Sequence, residues 1–138
     1  MGHPSLIDTG AALALLDQSD PWNGPCSQAL SDCILPLVTT AAVLTEVFHF
    51  LVGDGQRVAN GWRFVRSGIL TILPITDDDA AELQRLMLKY ADRPMDFADA
   101  TLVRVAERER LTTILTVDRD FEVYRIGGRK AFRVVPER

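Results

Sequence analysis

Residues 113–121 read Thr113-Ile114-Leu115-Thr116-Val117-Asp118-Arg119-Asp120-Phe121. The first five are apolar or β-branched, the signature of a short buried strand, and the run ends directly on an acid. Ser5-Leu6-Ile7-Asp8 repeats that arrangement near the start of the chain. Three further strand-like runs are Leu35-Pro36-Leu37-Val38, residues 70–75 and residues 131–135. Helical patterns fill the intervals: 9–17, 24–32, a segment capped by Thr39-Thr40 and running to about Val52, 56–67, a helix opened by Asp77-Asp78-Asp79, and 96–109. Ser19-Asp20-Pro21 and Gly53-Asp54-Gly55 supply the breaks. Strands alternating with helices predict an α/β fold whose central sheet, of four to five mostly parallel strands, is covered on both faces. In such folds the ligand crevice lies outside the carboxyl ends of the strands, and that is where Asp8 and Asp118 fall.

A chain of 138 residues is expected to form one domain over residues 1–138. With 47% hydrophobic and 25% charged residues, disorder is excluded as the main state. No apolar run approaches the ~18 residues of a transmembrane helix. Met1-Gly2-His3-Pro4 lacks the basic patch and long apolar run of a secretory signal. Cys26 and Cys33 make neither a disulfide framework nor a metal-type spacing. The expected location is cytoplasmic, with no membrane partner. Net charge is −4, and all 15 basic residues, 13 of them Arg, lie from Arg57 onward. An acidic chain does not attract nucleic acid by its overall field, so holding one requires a local arginine strip or a metal.

Glu46 sits in the apolar stretch Ala41-Ala42-Val43-Leu44-Thr45-Glu46-Val47-Phe48, where a lone carboxylate is costly unless it is paired or bound to a cation. Asp96 and Asp99 share one helix face by their i, i+3 spacing. Asp96 suits the N-cap, leaving Asp99 in the first turn. Asp8, Glu46, Asp99 and Asp118 thus come from four separate elements. Gathered carboxylates raise each other's pKa. Mg²⁺ or Mn²⁺ removes that penalty and prefers oxygen ligands, a combination suited to phosphoryl chemistry.

In four segments the chain resembles the PIN domain, of the VapC-like toxin branch. They are Leu6-Ile7-Asp8-Thr9, Thr45-Glu46-Val47, Asp96-Phe97-Ala98-Asp99-Ala100-Thr101-Leu102-Val103 and Leu115-Thr116-Val117-Asp118-Arg119-Asp120-Phe121, the last followed by Val123-Tyr124-Arg125. The resemblance runs from about residue 6 to residue 125. It implies a PIN-like three-layer α/β/α sandwich. It implies an Mg²⁺- or Mn²⁺-dependent endoribonuclease that cleaves RNA phosphodiesters by metal-activated water, the toxin of a toxin–antitoxin pair with a small antitoxin protein as partner. It carries the catalytic and metal-ligand roles onto Asp8, Glu46, Asp99 and Asp118, and supporting roles onto Thr9, Thr116, Asp96 and Asp120.

Arg119 and Arg125 are the expected RNA phosphate contacts, with Arg129, Lys130 and Arg133 extending a basic strip. The apolar residues Phe48, Phe50, Leu51, Trp62 and Phe64 exceed what a small monomer hides, so a homodimer and an antitoxin helix in a groove are expected.

Other readings fare worse or stay open. A receiver-type phospho-signalling domain wants a paired acid after the first strand, a phosphoacceptor Asp after the third and a Lys after the fifth. Here Thr9 follows Asp8, the third strand ends at Pro74-Ile75, and no Lys follows Val135. An Asp-x-Asp-x-Thr phosphatase fails at Gly10, and no Gly-x₄-Gly-Lys-Ser/Thr loop occurs. A non-catalytic PIN-like binding module, keeping its acids only for a partner, is separated from a nuclease by metal-dependent cleavage.

Overall fold

The computed structural model describes residues 2–138. In chain order it holds β1 (Leu6–Ile7), α1 (Thr9–Leu16), α2 (Asn23–Ser31), β2 (Leu37–Thr39), α3 (Ala41–Leu51), α4 (Gly55–Arg66) and β3 (Leu70–Ile72). A 3₁₀ turn at Asp77–Asp79 leads into α5 (Ala80–Lys89), followed by α6 (Phe97–Glu109) and β4 (Thr113–Leu115). A second 3₁₀ turn (Arg119–Glu122) precedes β5 (Arg125–Ile126), β6 (Lys130–Ala131) and β7 (Arg133–Val135).

Five strands form one parallel sheet in the order β3-β2-β1-β4-β7. Leu6 at its centre pairs with Val38 on one side and Ile114 on the other. The side chains of β1 are buried, as are Leu37 and Val38 of β2 and Ile114 and Leu115 of β4. Strands covered on both faces read as unbroken apolar runs, which explains why alternation is missing from the sequence. The steps from β1 to β2 to β3 run one way across the sheet, and β3 to β4 runs back. Right-handed crossovers therefore put α1–α4 on one face and α5–α6 on the other. Within the faces α1 meets α2, α3 and α4, and α5 meets α6; α3 also meets α6, with Thr40 Oγ1 2.8 Å from Thr101 Oγ1.

Local chemistry sets the helix starts. Asp8, Thr40, Asp54 and Asp96 each accept a backbone N–H of the following first turn, as N-cap side chains do. Helix α6 is buried along most of its first ten residues, including Ala98, Ala100, Leu102, Val103, Val105 and Ala106. A Cβ added at Gly61 would come within 2.7 Å of Leu51 and 3.0 Å of Phe48, so this glycine lets α4 close on α3.

The structure trims the strand runs expected from sequence. β3 stops at Ile72 because Pro74 has no N–H to continue the ladder. The last run divides at Phe132: Ala131 belongs to the antiparallel hairpin β5–β6 and residues 133–135 to the sheet. That hairpin turns through Gly127 and Gly128, both at positive φ, a conformation that glycine adopts without strain.

Candidate functional site

Three strands deliver polar groups to the carboxyl edge of the sheet: Asp8 after β1, Thr40 after β2, and Thr116 and Asp118 after β4. Thr116 ties two of them together. Its hydroxyl donates to Asp8 Oδ2 at 2.5 Å and accepts the backbone N–H of Asp118 at 2.9 Å. Asp8 Oδ1 accepts the N–H of Ala11, so the same carboxylate caps α1. Asp118 accepts the N–H of Asp120 at 2.8 Å and shapes the turn that follows. Asp96 caps α6 through the N–H of Asp99 at 2.8 Å, leaving the Asp99 side chain to the site. The Tyr124 hydroxyl donates to Asp99 Oδ2 at 3.2 Å. From α3, Glu46 accepts the Thr9 hydroxyl at 2.5 Å.

One carboxylate oxygen from each of Asp99, Asp118 and Asp120 lies within 4.8 Å of the other two. Asp120, read from sequence in a supporting role, is thus one of the three closest carboxylates. Asp8 and Glu46 stand outside that group: the charge of Asp8 acts on Asp99, and that of Glu46 on Asp8. Burial pushes Asp8 up to about 6 against the pull of Thr116 and Ala11, with Asp118 and Glu46 adding to the rise. Burial pushes Asp99 to about 8, helped by the charges of Asp96, Asp118 and Asp8. Asp118 is raised by burial and by Asp120 and Asp96, while Arg138 opposes. Burial and Asp96 raise Glu46.

The donor set fits a hard divalent cation. Every candidate ligand is an oxygen, the closest three converge, and several carboxylates are held where ionisation is unfavourable without added positive charge.

The arginines near the acids differ in their contacts. Arg125 points Nη1 at the carbonyls of Glu122, Val123 and Tyr124, at 2.9, 3.1 and 3.1 Å, closing its own turn. Arg119 is exposed. Two arginines that sequence reasoning missed approach the acids instead. Arg93 pairs with Asp120 at 3.0 Å. Arg138 lies over the Trp22 ring, with Nη2 3.4 Å from the Thr116 carbonyl. Neither carried a local signal, since both come from irregular segments distant in sequence from the acids they meet. A broad cleft lined by Ser5, Gln28, Thr113 and Arg133 opens at the amino ends of the strands, the sheet edge opposite the acids.

The PIN domain family model matches residues 5–127. The chain belongs to the PIN-domain family. It is 32% identical over 135 residues to Ribonuclease VapC26 of Mycobacterium tuberculosis, an alignment covering 95% of this chain and 99% of the relative. Its fold matches the crystal structure of VapC20 from the same organism, described as a sarcin-ricin loop cleaving toxin. The TM-score is 0.76 at 18% identity, covering 86% of this chain and 92% of VapC20. The sandwich and its mostly parallel sheet are thus those of a PIN domain, and all four segments that carried the resemblance lie inside the matched region.

Proposed function

We propose that this PIN-domain protein is a divalent-metal-dependent endoribonuclease and the toxin of a toxin–antitoxin pair. The observation that carries this reading is the convergence of Asp99, Asp118 and Asp120 beside Asp8 at the carboxyl edge of the sheet. The relative named Ribonuclease VapC26 supports the reaction class. Mg²⁺ or Mn²⁺ is the proposed ion, and Asp99, Asp118 and Asp120 would hold it, with Asp8 and Glu46 adjoining. When bound, it polarises phosphate oxygens and lowers the pKa of a water.

The chain's own residues supply orientation and a proton acceptor. Thr116 holds Asp8 and the start of the Asp118 loop in one unit. Tyr124 orients Asp99, and Thr9 orients Glu46. Glu46, raised by burial, is a stronger base than a free glutamate and is assigned the proton from the attacking water.

Residues 1–138 are proposed as one cytoplasmic domain. No helix among the described residues is long and apolar enough to cross a membrane. Phe50, Val52 and Trp62 are more than half exposed on and after α3 and on α4. Such a surface suits the proposed antitoxin and homodimer contacts.

The direct test is incubation with total RNA, with and without Mg²⁺ or Mn²⁺, followed by fragment-end mapping. Metal-dependent fragments with 5′-phosphate and 3′-hydroxyl ends are expected. Cleavage that persists in chelator, or unchanged in Asp99→Asn, contradicts the proposal.

A further inference from the structure

Six carboxylates crowd the carboxyl edge of the sheet: Asp8, Glu46, Asp96, Asp99, Asp118 and Asp120. One divalent ion offsets two of those charges. A phosphodiester approaching the site still meets a negative field, so a cation has to be built into the rim. The neighbouring arginines differ in what they have left to offer. Arg125 turns Nη1 back onto three carbonyls of its own turn and pairs with none of the six acids among the described residues. The Arg138 side chain is 15% exposed, covered by Trp22 and 3.5 Å from Glu122. Arg119 is exposed but makes no ion pair with the cluster among the described residues.

Arg93 combines contact with accessibility. Its Nη1 lies 3.0 Å from Asp120 Oδ1, its side chain is 40% exposed, and its Nε and Nη2 make no hydrogen bond among the described residues. The turn that carries it is tied down, because the N–H groups of Arg93 and Met95 both donate to the Tyr90 carbonyl at 3.1 Å. A guanidinium presents its donors as a rigid fork that matches two oxygens of a phosphate.

We propose that Arg93 is the phosphate anchor of this site: it keeps Nη1 on Asp120 and offers its remaining N–H groups to a non-bridging oxygen of single-stranded RNA. The assignment rests on the ribonuclease reading above and adds the residue that offsets substrate charge.

The test compares wild type, Arg93→Gln and Arg93→Lys. A labelled single-stranded RNA is followed by fluorescence anisotropy in Ca²⁺ over a salt series, KM and kcat are measured in Mn²⁺, and Mn²⁺ affinity is read by calorimetry. Arg93→Gln is expected to weaken RNA binding about tenfold and raise KM to match. It should flatten the slope of log K against log salt by about 0.7, one phosphate contact on a single strand. Mn²⁺ affinity should be retained or increased, since a cation has left the site. Arg93→Lys restores the slope but only part of the affinity.

An unchanged slope and KM in Arg93→Gln overturn the assignment. So does a loss of RNA binding that merely follows a loss of Mn²⁺ affinity, which marks Arg93 as a prop for Asp120. Wild type that binds RNA through Arg93 yet cleaves nothing refutes the ribonuclease reading alone. Wild type that neither binds nor cleaves RNA refutes both.

Discussion

Two buried aspartates in this fold have opposite surroundings. Asp79, 2% exposed, accepts the Thr76 N–H at 2.9 Å and pairs with Arg104 at 2.8 Å and Arg108 at 2.9 Å. The Thr76 N–H and the two arginines hold its carboxyl below the usual range. Asp8, 5% exposed, has hydrogen bonds but no cation on either oxygen among the described residues, and its strongest charged neighbours are acids. Burial with a built-in countercharge makes a structural clamp, here joining α6 to the turn before α5. Burial among like charges leaves a penalty that an entering cation would relieve, and perturbed groups of that kind are candidates for functional sites.

The largest expected effects separate these two places. Asp99→Asn should lower RNA cleavage by more than about 100-fold, beyond the ~10–100-fold typical of losing a group that only supports a metal ligand. It should also raise the stability of the metal-free protein near neutral pH, because an amide needs no proton to sit where the carboxyl is buried among acids. A variant that loses both activity and metal-free stability would erase the contrast. Asp79→Asn should do the reverse, costing about 2–3 kcal/mol in urea unfolding while leaving activity per folded molecule intact. That is less than the ~3–5 kcal/mol of breaking a fully buried pair, because the Arg104 and Arg108 side chains remain 24% and 25% exposed.

The two places also have opposite pH signatures. Asp99 and Asp8 titrate higher in the fold than their ordinary 3.8, at about 8 and about 6. The native state therefore binds more protons than the unfolded chain across that window, and metal-free stability falls as pH rises from about 4 to 8. Asp79, held low, contributes stability above its unfolded pKa that is lost on acidification below it. Thermal melts over pH 4–8 with chelator should show the falling trend, and Mn²⁺ should stabilise the protein more at pH 8 than at pH 5. A melting temperature that climbs with pH in chelator would mean that the acids at the sheet edge are compensated internally.

Smaller effects sharpen the picture. Thr116→Val removes the donor to Asp8 and the acceptor for the Asp118 N–H, and should cut cleavage about tenfold. Tyr124→Phe removes one bond to Asp99. It should cost about 0.5–1.5 kcal/mol and change the rate only a few-fold.

Much of this contrast lies beyond the reach of sequence. The acids after β1 and β4 were legible because a buried parallel strand is a dense apolar run and its last residue stands out. The capping role of Asp96 was legible from its place before Phe97. Asp79 was readable only as one of three acids opening a helix, because its partners Arg104 and Arg108 lie 25 and 29 residues away and no local period announces them. Arg93 and the bond from Tyr124 to Asp99 escaped for the same reason, since each meets its acid across a fold-level contact. The β5–β6 hairpin escaped because each of its strands has two residues, too few to show alternation. Arg125 was named for its charge, and no local pattern shows that its Nη1 faces three carbonyls of its own turn.

Calorimetric titration of the metal-free protein with Mn²⁺ near neutral pH asks whether the acids at the sheet edge take up a cation. Saturable uptake is expected, with a heat that depends on buffer because carboxyls held protonated release protons on binding; Asp99→Asn should abolish it and Asp79→Asn preserve it. No uptake of Mn²⁺ or Mg²⁺ by a folded wild-type protein would contradict the account.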